Sequence, residues 1–110
     1  MQRGLALILC WLALAFAVPA AAQQRATEAM IESAKSAMVS DPPAALAAAE
    51  QAQRHAITIP ELGPRATAEA TALWLQSEAL IRLRKPGEAA PRIARALRLI
   101  SADQAPTKLR

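Results

Sequence analysis

The sequence predicts an all-α fold of antiparallel helical hairpins, with about four helices following an N-terminal signal-peptide helix. Apolar residues recur at three-and-four spacing over four segments, which is the period of an amphipathic helix. Clusters of proline, glycine and aspartate separate these segments. No stretch alternates apolar and polar residues as a half-buried strand does. Paired helices joined by short turns are therefore expected throughout the chain.

The start of the chain has the layout of a secretory signal peptide. Arg3 precedes an apolar run from Leu5 to Val18, which is too short to span a bilayer comfortably. The small residues Ala20 and Ala22 then form an A-x-A step before Gln23, which predicts cleavage after Ala22. The predicted domains are a signal peptide at 1–22, a helical domain at 23–101 and a C-terminal tail at 102–110.

Other interpretations of this segment stay open. An uncleaved segment would anchor the chain in the inner membrane. Lipidation at Cys10 is a weaker alternative, since Leu7-Ile8-Leu9 supply no small residue beside the cysteine. Arginine outnumbers lysine and alanine is abundant, which indicates a GC-rich bacterial genome. The expected location is therefore the periplasm, or the medium if the protein is secreted.

Composition limits the class of protein. The single cysteine leaves with the signal, so disulfides cannot stabilise the processed chain. The 13 lysines and arginines exceed the 9 acidic residues only slightly. This small excess is weak evidence for nucleic-acid binding, and export makes nucleic acid an unexpected partner.

The first two predicted helices are separated by Asp41-Pro42-Pro43. They run from about Arg25 to Val39 and from Ala44 to about His55. Asp41 is a good N-cap, and Pro42 suits the first helical position, where no amide hydrogen is needed. The residues predicted to face inward are Met30, Ile31, Ala34, Ala37 and Met38 on the first helix, and Leu46, Ala49 and Ala52 on the second.

The third helix is predicted from Arg65 to Arg84, after a connector from Ile57 to Pro64 that contains two prolines and a glycine. It is apolar on two sides, which is typical of a helix packed between two others. One side carries Ala66, Ala70, Leu73, Trp74, Ser77, Leu80 and Ile81, and the other carries Ala68, Ala72, Leu75 and Ala79.

The fourth helix is predicted from Glu88 to about Ser101, after the turn Lys85-Pro86-Gly87. Pro91 falls in its predicted first turn, where a missing amide hydrogen costs little. Its predicted inner face consists of Ala89, Ile93, Ala96, Leu97 and Ile100.

The two predicted hairpins resemble each other. Lys85 lies 44 positions after Asp41, and Ala45, Ala49 and Ala52 align at the same offset with Ala89, Ile93 and Ala96. Repeats of paired antiparallel helices at such periods are typical of alpha solenoids.

The chain resembles the tetratricopeptide-repeat (TPR) family. The second hairpin supplies the family's alternation of large and small residues at Leu73, Ser77, Leu80, Ala89, Ile93 and Ala96. It departs from the family at Gln76, where an apolar residue is usual, in lacking the aromatic pair, and in exceeding the period of about 34 residues. Similar alanine-rich exported segments also form the N-terminal sensory part of bacterial membrane-bound diguanylate cyclases and histidine kinases.

Few large apolar side chains are available to build a core. Burial of apolar surface contributes about 25 cal/mol per Å², whereas ordering the chain costs about 1.5 kcal/mol per residue. The net free energy of folding of an alanine-rich four-helix unit is therefore expected to be close to zero. Helical repeats also need about three units to cover one another. We therefore expect a neighbour on the exposed end: a second copy, another protein, or a continuation of the same repeat array.

The best candidate for partner binding is a cationic surface. Arg92, Arg95 and Arg98 recur every three residues on the fourth helix, and Arg84 precedes the turn that leads to it. Guanidinium groups bind carboxylates and phosphates, so an acidic protein, a peptide or a lipid head group would fit.

The alternative interpretation of these arginines is a solvated helix face. Cations near a helix C-terminus suit its dipole. Glu78 with Arg82 and Glu88 with Arg92 are also spaced as i,i+4 pairs, which would hold these cations in local contacts.

The other candidate residues show no pattern that is typical of catalysis or of ligand binding. Trp74 lies in the inward stripe of the third helix and is expected to be a core anchor rather than a stacking platform. His55, the only histidine, has no histidine or cysteine partner for a metal. The glutamates are spread as surface charges, and no serine sits in a nucleophile elbow. We predict no catalytic, metal or cofactor site.

The sequence therefore favours a noncatalytic, exported helical module that binds a protein or peptide through its concave face and its arginine edge. The alternative is the N-terminal sensory segment of a longer membrane-bound signalling enzyme, a diguanylate cyclase or histidine kinase, whose catalytic domain is absent from these residues.

Overall fold

A computed structural model describes the backbone of residues 20–108 and the side chains of residues 21–101. Within that range the chain is all-α and forms four helices. They are α1 (Ala20–Ala37), α2 (Pro42–Ala56), α3 (Leu62–Arg82) and α4 (Pro86–Lys108). The predicted all-α class and the number of helices are confirmed.

Consecutive helices pack against each other, and α1 also touches α3. The central helix α3 therefore lies between α2 on one side and α4 on the other. This confirms the interpretation of its two apolar sides. The chain forms a first hairpin from α1 and α2 and a second hairpin from α3 and α4.

The turn between α1 and α2 has the predicted cap. The Asp41 carboxylate accepts a hydrogen bond from the Ala44 backbone N–H at 3.2 Å. Pro42 is the first residue of α2, where it leaves no hydrogen bond unmade. A local sequence signal thus sets the start of α2.

Several helix limits differ from the prediction, including the start of α1, which is Ala20 rather than about Arg25. Helix α3 begins at Leu62, so Gly63 and Pro64 form its first turn, where free amides are normal. Helix α4 begins at Pro86 and continues past Ser101 to Lys108, which places Pro91 in its second turn. Pro64 and Pro86 lie in first turns, where a missing N–H has no partner anyway, whereas Pro91 lacks the N–H that would donate to the Gly87 carbonyl, so the expectation that it lies in the first turn is wrong.

The predicted signal segment falls largely outside the described residues. Helix α1 begins at Ala20, so the predicted cleavage step from Ala20 through Ala22 to Gln23 forms its first turn. Signal cleavage stays a prediction.

The core is built mainly from alanine. The buried positions of α2 are Ala45, Ala49, Ala52 and Ala56. Small side chains let neighbouring helices approach closely, and larger groups from α1 and α3 fill the space between them: Ile31, Ala34, Met38, Ala72, Leu75 and Ala79. A smaller cluster of Ala70, Leu73 and Ala96 joins α3 to α4.

Four residues predicted to face inward are exposed instead. Trp74 and Ile81 of α3 are 54% and 53% exposed, and Leu97 and Ile100 of α4 are 54% and 43% exposed. The contact between α3 and α4 runs through small residues such as Ala89 and Ala96, both buried. These four side chains lie beside the contact between α3 and α4, and no described residue covers them.

Candidate partner-binding surface

The most unusual surface of the described structure is an apolar strip along the second hairpin. We define the apolar strip as Trp74, Ile81, Leu97 and Ile100, which expose about half of their surfaces. Single exposed apolar residues are ordinary, but a contiguous row on two adjacent helices is typical of an interaction site. The helical period predicted that all four residues lie in the core, and that prediction is wrong.

Two clefts lie on either side of Trp74. The first has a volume of about 350 Å³, is lined by Trp74, Ile81 and Ile93, and has Glu78 and Arg82 at its edge. The second, of about 270 Å³, is lined mainly by Trp74, Leu97 and Ile100. Lys35 of α1 also lines this second cleft. The indole ring therefore separates two apolar hollows.

Local helix geometry explains why Trp74 is exposed. Leu73 and Leu75, its neighbours on α3, are buried against α4 and against the first hairpin, respectively. Successive residues on an α-helix are about 100° apart, so Trp74 points between these two directions. Lys35 is the one described α1 residue that lines a cleft beside Trp74, and the indole is half exposed.

A third hollow lies between α1 and α3. Its volume is about 390 Å³, and it is lined by Gln24, Thr27, Glu28, Ile31, Pro64, Thr67, Ala68 and Thr71. Hydroxyl groups make it more polar than the apolar strip. Two of them already donate to their own helices, Thr27 to the Gln23 carbonyl and Thr71 to the Thr67 carbonyl. This hollow therefore presents fewer free hydrogen-bonding groups than its sequence implies.

The predicted arginine surface is divided in the structure. Arg95 is 3.0 Å from Glu69 of α3 and donates a hydrogen bond to its carboxylate. Arg98 is exposed and makes no salt bridge among the described side chains, whereas Arg92 is half-buried. Arg92, Arg95 and Arg98 line neither of the clefts beside Trp74. Their predicted role in partner binding stays a prediction.

Glu69 corrects the expectation that every glutamate is a surface charge. Its residue is 6% exposed, in contrast to the largely exposed Arg95 that pairs with it. A buried carboxylate needs a partner, and the guanidinium supplies one. The pair ties α3 to α4 on the side of the hairpin away from the apolar strip.

Hydrogen bonds to α2 explain why Gln76 is polar at a position where the TPR pattern usually has an apolar residue. It is buried, and its side-chain amide donates to the Ala49 carbonyl at 3.2 Å and to Gln53 Oε1 at 2.8 Å. Both acceptors belong to α2. The polar residue thus links the two hairpins, and no buried side-chain nitrogen or oxygen in the described residues lacks a partner.

Arg84 has a structural role at the turn between α3 and α4. Its φ of 62° lies in the left-handed region, which costs a residue with a Cβ free energy. The Lys85 N–H donates to the Leu80 carbonyl at 2.8 Å, and the Arg84 N–H donates to the Ile81 carbonyl at 3.0 Å. These two bonds form a Schellman motif, which ends α3 and reverses the chain.

The local ion pairs follow the prediction in part. Arg82 lies 3.9 Å from Glu78, as expected from their spacing. Glu88 contacts Lys85 at 3.9 Å rather than the predicted Arg92. All four side chains are roughly half exposed, so these contacts contribute little to stability.

Side chains that could bind a metal ion do not form a cluster in the described residues. His55 is exposed near the end of α2. In the part of the chain that the structure describes, no group of three His, Cys, Asp or Glu side chains could hold a metal ion. None of the helices in this part is both long and apolar enough to cross a membrane.

Residues 21–101 together form an all-α structure in which no described side chain covers the apolar strip. No protein-family model matches the chain, and no curated protein or solved structure is detectably similar to it.

Proposed function

We propose that this chain is a noncatalytic TPR-like module that binds a protein or peptide through the apolar strip, after export to the periplasm. The observation that carries the proposal is the exposure of Trp74, Ile81, Leu97 and Ile100 on one face. Aromatic and large aliphatic side chains in such positions are common anchors of protein interfaces.

The repeated geometry of the two hairpins supports the TPR-like part of the proposal. Helix α2 begins at Pro42 and α4 begins at Pro86, so the second helix of each hairpin starts 44 positions apart. Ala45 and Ala52 are buried, and so are their counterparts Ala89 and Ala96. Stacked hairpins of this kind present extended surfaces that bind partners.

The signal-peptide part of the proposal concerns residues outside the described range. It is supported by the charged start, the apolar run and the small residues at Ala20 and Ala22. Mass spectrometry of the protein expressed from its full reading frame tests it. An N-terminus at Gln23 is expected. A retained N-terminus at Met1 would favour an inner-membrane anchor instead.

Partner binding is tested by capture from a periplasmic extract on three immobilised proteins. They are the natural chain, Leu97→Glu in the strip, and the matched control Leu62→Glu, whose leucine is 68% exposed and lines neither cleft beside Trp74. We expect one set of proteins to be retained by the natural chain and the control and lost with Leu97→Glu. Identical retention on all three would overturn the role of the strip.

A second candidate function is the sensory segment of a longer diguanylate cyclase or histidine kinase. The observation that favours it is the correspondence between the apolar strip and the face of the first hairpin that α3 covers. A third hairpin would cover the strip in the same way. The reading frame downstream of the Arg110 codon distinguishes the two candidates, because a stop codon there removes the second.

A further inference from the structure

We propose that a second copy of this chain occupies the apolar strip, so that two α3–α4 hairpins pack face to face about a two-fold axis. This inference rests on the proposed function, because it takes the strip to be a docking surface. It goes further by naming the occupant. The area of the strip, its shape and the charges at its edge favour this occupant.

The area of the strip matches what a small dimer needs. Given their exposed fractions, its four side chains expose roughly 400 Å² of apolar surface. A specific interface buries about 800 Å² per partner, of which somewhat more than half is apolar. The strip supplies most of that apolar share, and the half-buried Ile93 beside it adds to the total.

The shape of the strip is complementary to itself. The half-exposed Trp74 indole separates two clefts of about 350 and 270 Å³, so a projecting ring and two hollows lie on the same face. A two-fold axis brings the same surface of both partners together, which places the Trp74 ring of each copy against a hollow of the other. A flat or purely convex strip would offer no such fit.

The charges at the edge of the strip favour a copy over a partner of one charge. Glu78 and Arg82 border one cleft, and Lys35 borders the other. A strongly acidic partner would meet the Glu78 carboxylate, and a strongly basic one would meet Arg82 and Lys35. A second copy brings both signs, so the Glu78 of each chain can face a cation of the other.

Helix direction also suits this arrangement. Helices α3 and α4 form a hairpin, and two such hairpins related by a two-fold axis make a four-helix bundle with the apolar rows inside. The opposite arrangement, with α1 of one copy on the strip of the next, is disfavoured. The exposed side of α1 is polar, with Glu28, Glu32, Ser33 and Ser36.

Sedimentation of the protein expressed from its full reading frame tests the proposal over a wide range of concentrations. We expect a reversible monomer–dimer equilibrium. Leu97→Glu should weaken dimerisation by about tenfold or more, since it places a charge in the centre of the interface. The matched Leu62→Glu should change it less than about threefold. A second pair, Ile81→Lys and Ile57→Lys, repeats the test with the opposite charge.

Trp74 supplies an independent signal. The chain has two tryptophans, so in a Trp11→Phe background Trp74 emission is observed alone. Its emission should shift to shorter wavelength as the dimer forms, and this shift should vanish with Leu97→Glu. Far-ultraviolet circular dichroism confirms that the variants stay helical, as expected for substitutions at exposed positions.

The outcomes separate this inference from the proposed function. A monomer at every concentration, or a dimer that both glutamate variants weaken equally, overturns the second copy as the occupant. If the protein is a monomer but captures another protein, and Leu97→Glu abolishes that capture, the proposed function stands while this inference fails. If the monomer captures nothing above the bare resin, both fail.

Discussion

The two hairpins differ in how far the same face is buried. Helix α3 covers this face of the first hairpin, whereas the corresponding face of the second hairpin is exposed. Ala56 of α2 is fully buried, whereas Ile100, 44 positions later on α4, is 43% exposed. Ala37 of α1 packs against the core, whereas its counterpart Ile81 is 53% exposed. Helix α3 makes this difference, because its Ala72, Leu75 and Ala79 cover the first hairpin.

The residues at the matching positions of the two hairpins differ. Two covered positions of the first hairpin, Ala37 and Ala56, have alanine, and the other two, Met30 and Gln53, have larger residues. At the matching uncovered positions the second hairpin has large apolar residues rather than polar ones. A face that only met solvent would gain nothing from isoleucine and leucine, so their presence supports the docking role proposed for the strip.

The largest expected effect comes from removing the residue that joins the hairpins. Leu75→Ala should lower the free energy of unfolding by about 3 kcal/mol, because it leaves a cavity against the first hairpin. Trp74→Phe should change it by less than about 1 kcal/mol, since the indole is half exposed. Urea unfolding, followed by circular dichroism at low protein concentration, measures both. Equal losses would mean that Trp74 is buried in solution.

A smaller loss is expected from the polar link between the hairpins. Gln76→Ala should cost about 1–2 kcal/mol, because it removes two hydrogen bonds to α2 and leaves the Ala49 carbonyl and Gln53 without their donor. Gln51→Ala is the control, since Gln51 is exposed on α2. Thermal unfolding of the two variants should rank Gln76→Ala clearly below Gln51→Ala. The reverse order would contradict the assigned hydrogen bonds.

The ion pair of the second hairpin should matter less. Arg95→Ala should cost about 1 kcal/mol, because it leaves the buried Glu69 carboxylate without its cation, although the exposure of Arg95 screens the interaction. Arg98→Ala should have an effect within about 0.5 kcal/mol. Unfolding free energies in low and in high salt measure the difference. A loss from Arg95→Ala that does not shrink in salt would argue against an ionic contribution.

The smallest effect is a gain at the turn between α3 and α4. Arg84→Gly should raise stability by about 0.5–1 kcal/mol, because glycine adopts the left-handed conformation without strain. Ser40, the matching position between α1 and α2, has no such conformation, so Ser40→Gly should be neutral or destabilising. Melting temperatures of the two variants decide the matter. A loss from Arg84→Gly would show that the arginine side chain outweighs the strain.

Local sequence signals settled much of the fold. The start of α2 followed from Asp41 and Pro42, and the two apolar sides of α3 identified it as the central helix. The inward faces of α1 and α2 were also predicted largely correctly. These features depend on the helical period and on capping chemistry, which act over a few residues.

Only the tertiary structure decided which residues at the edge of each stripe are covered. The period of a helix spaces Leu73, Trp74 and Leu75 about 100° apart around α3, but it does not say how far around the helix a neighbour reaches. That reach depends on how closely α4 and α1 approach α3, and alanines on the facing helices set this approach. Trp74 therefore lies outside the core and Glu69 lies inside it, paired with Arg95 of a different helix.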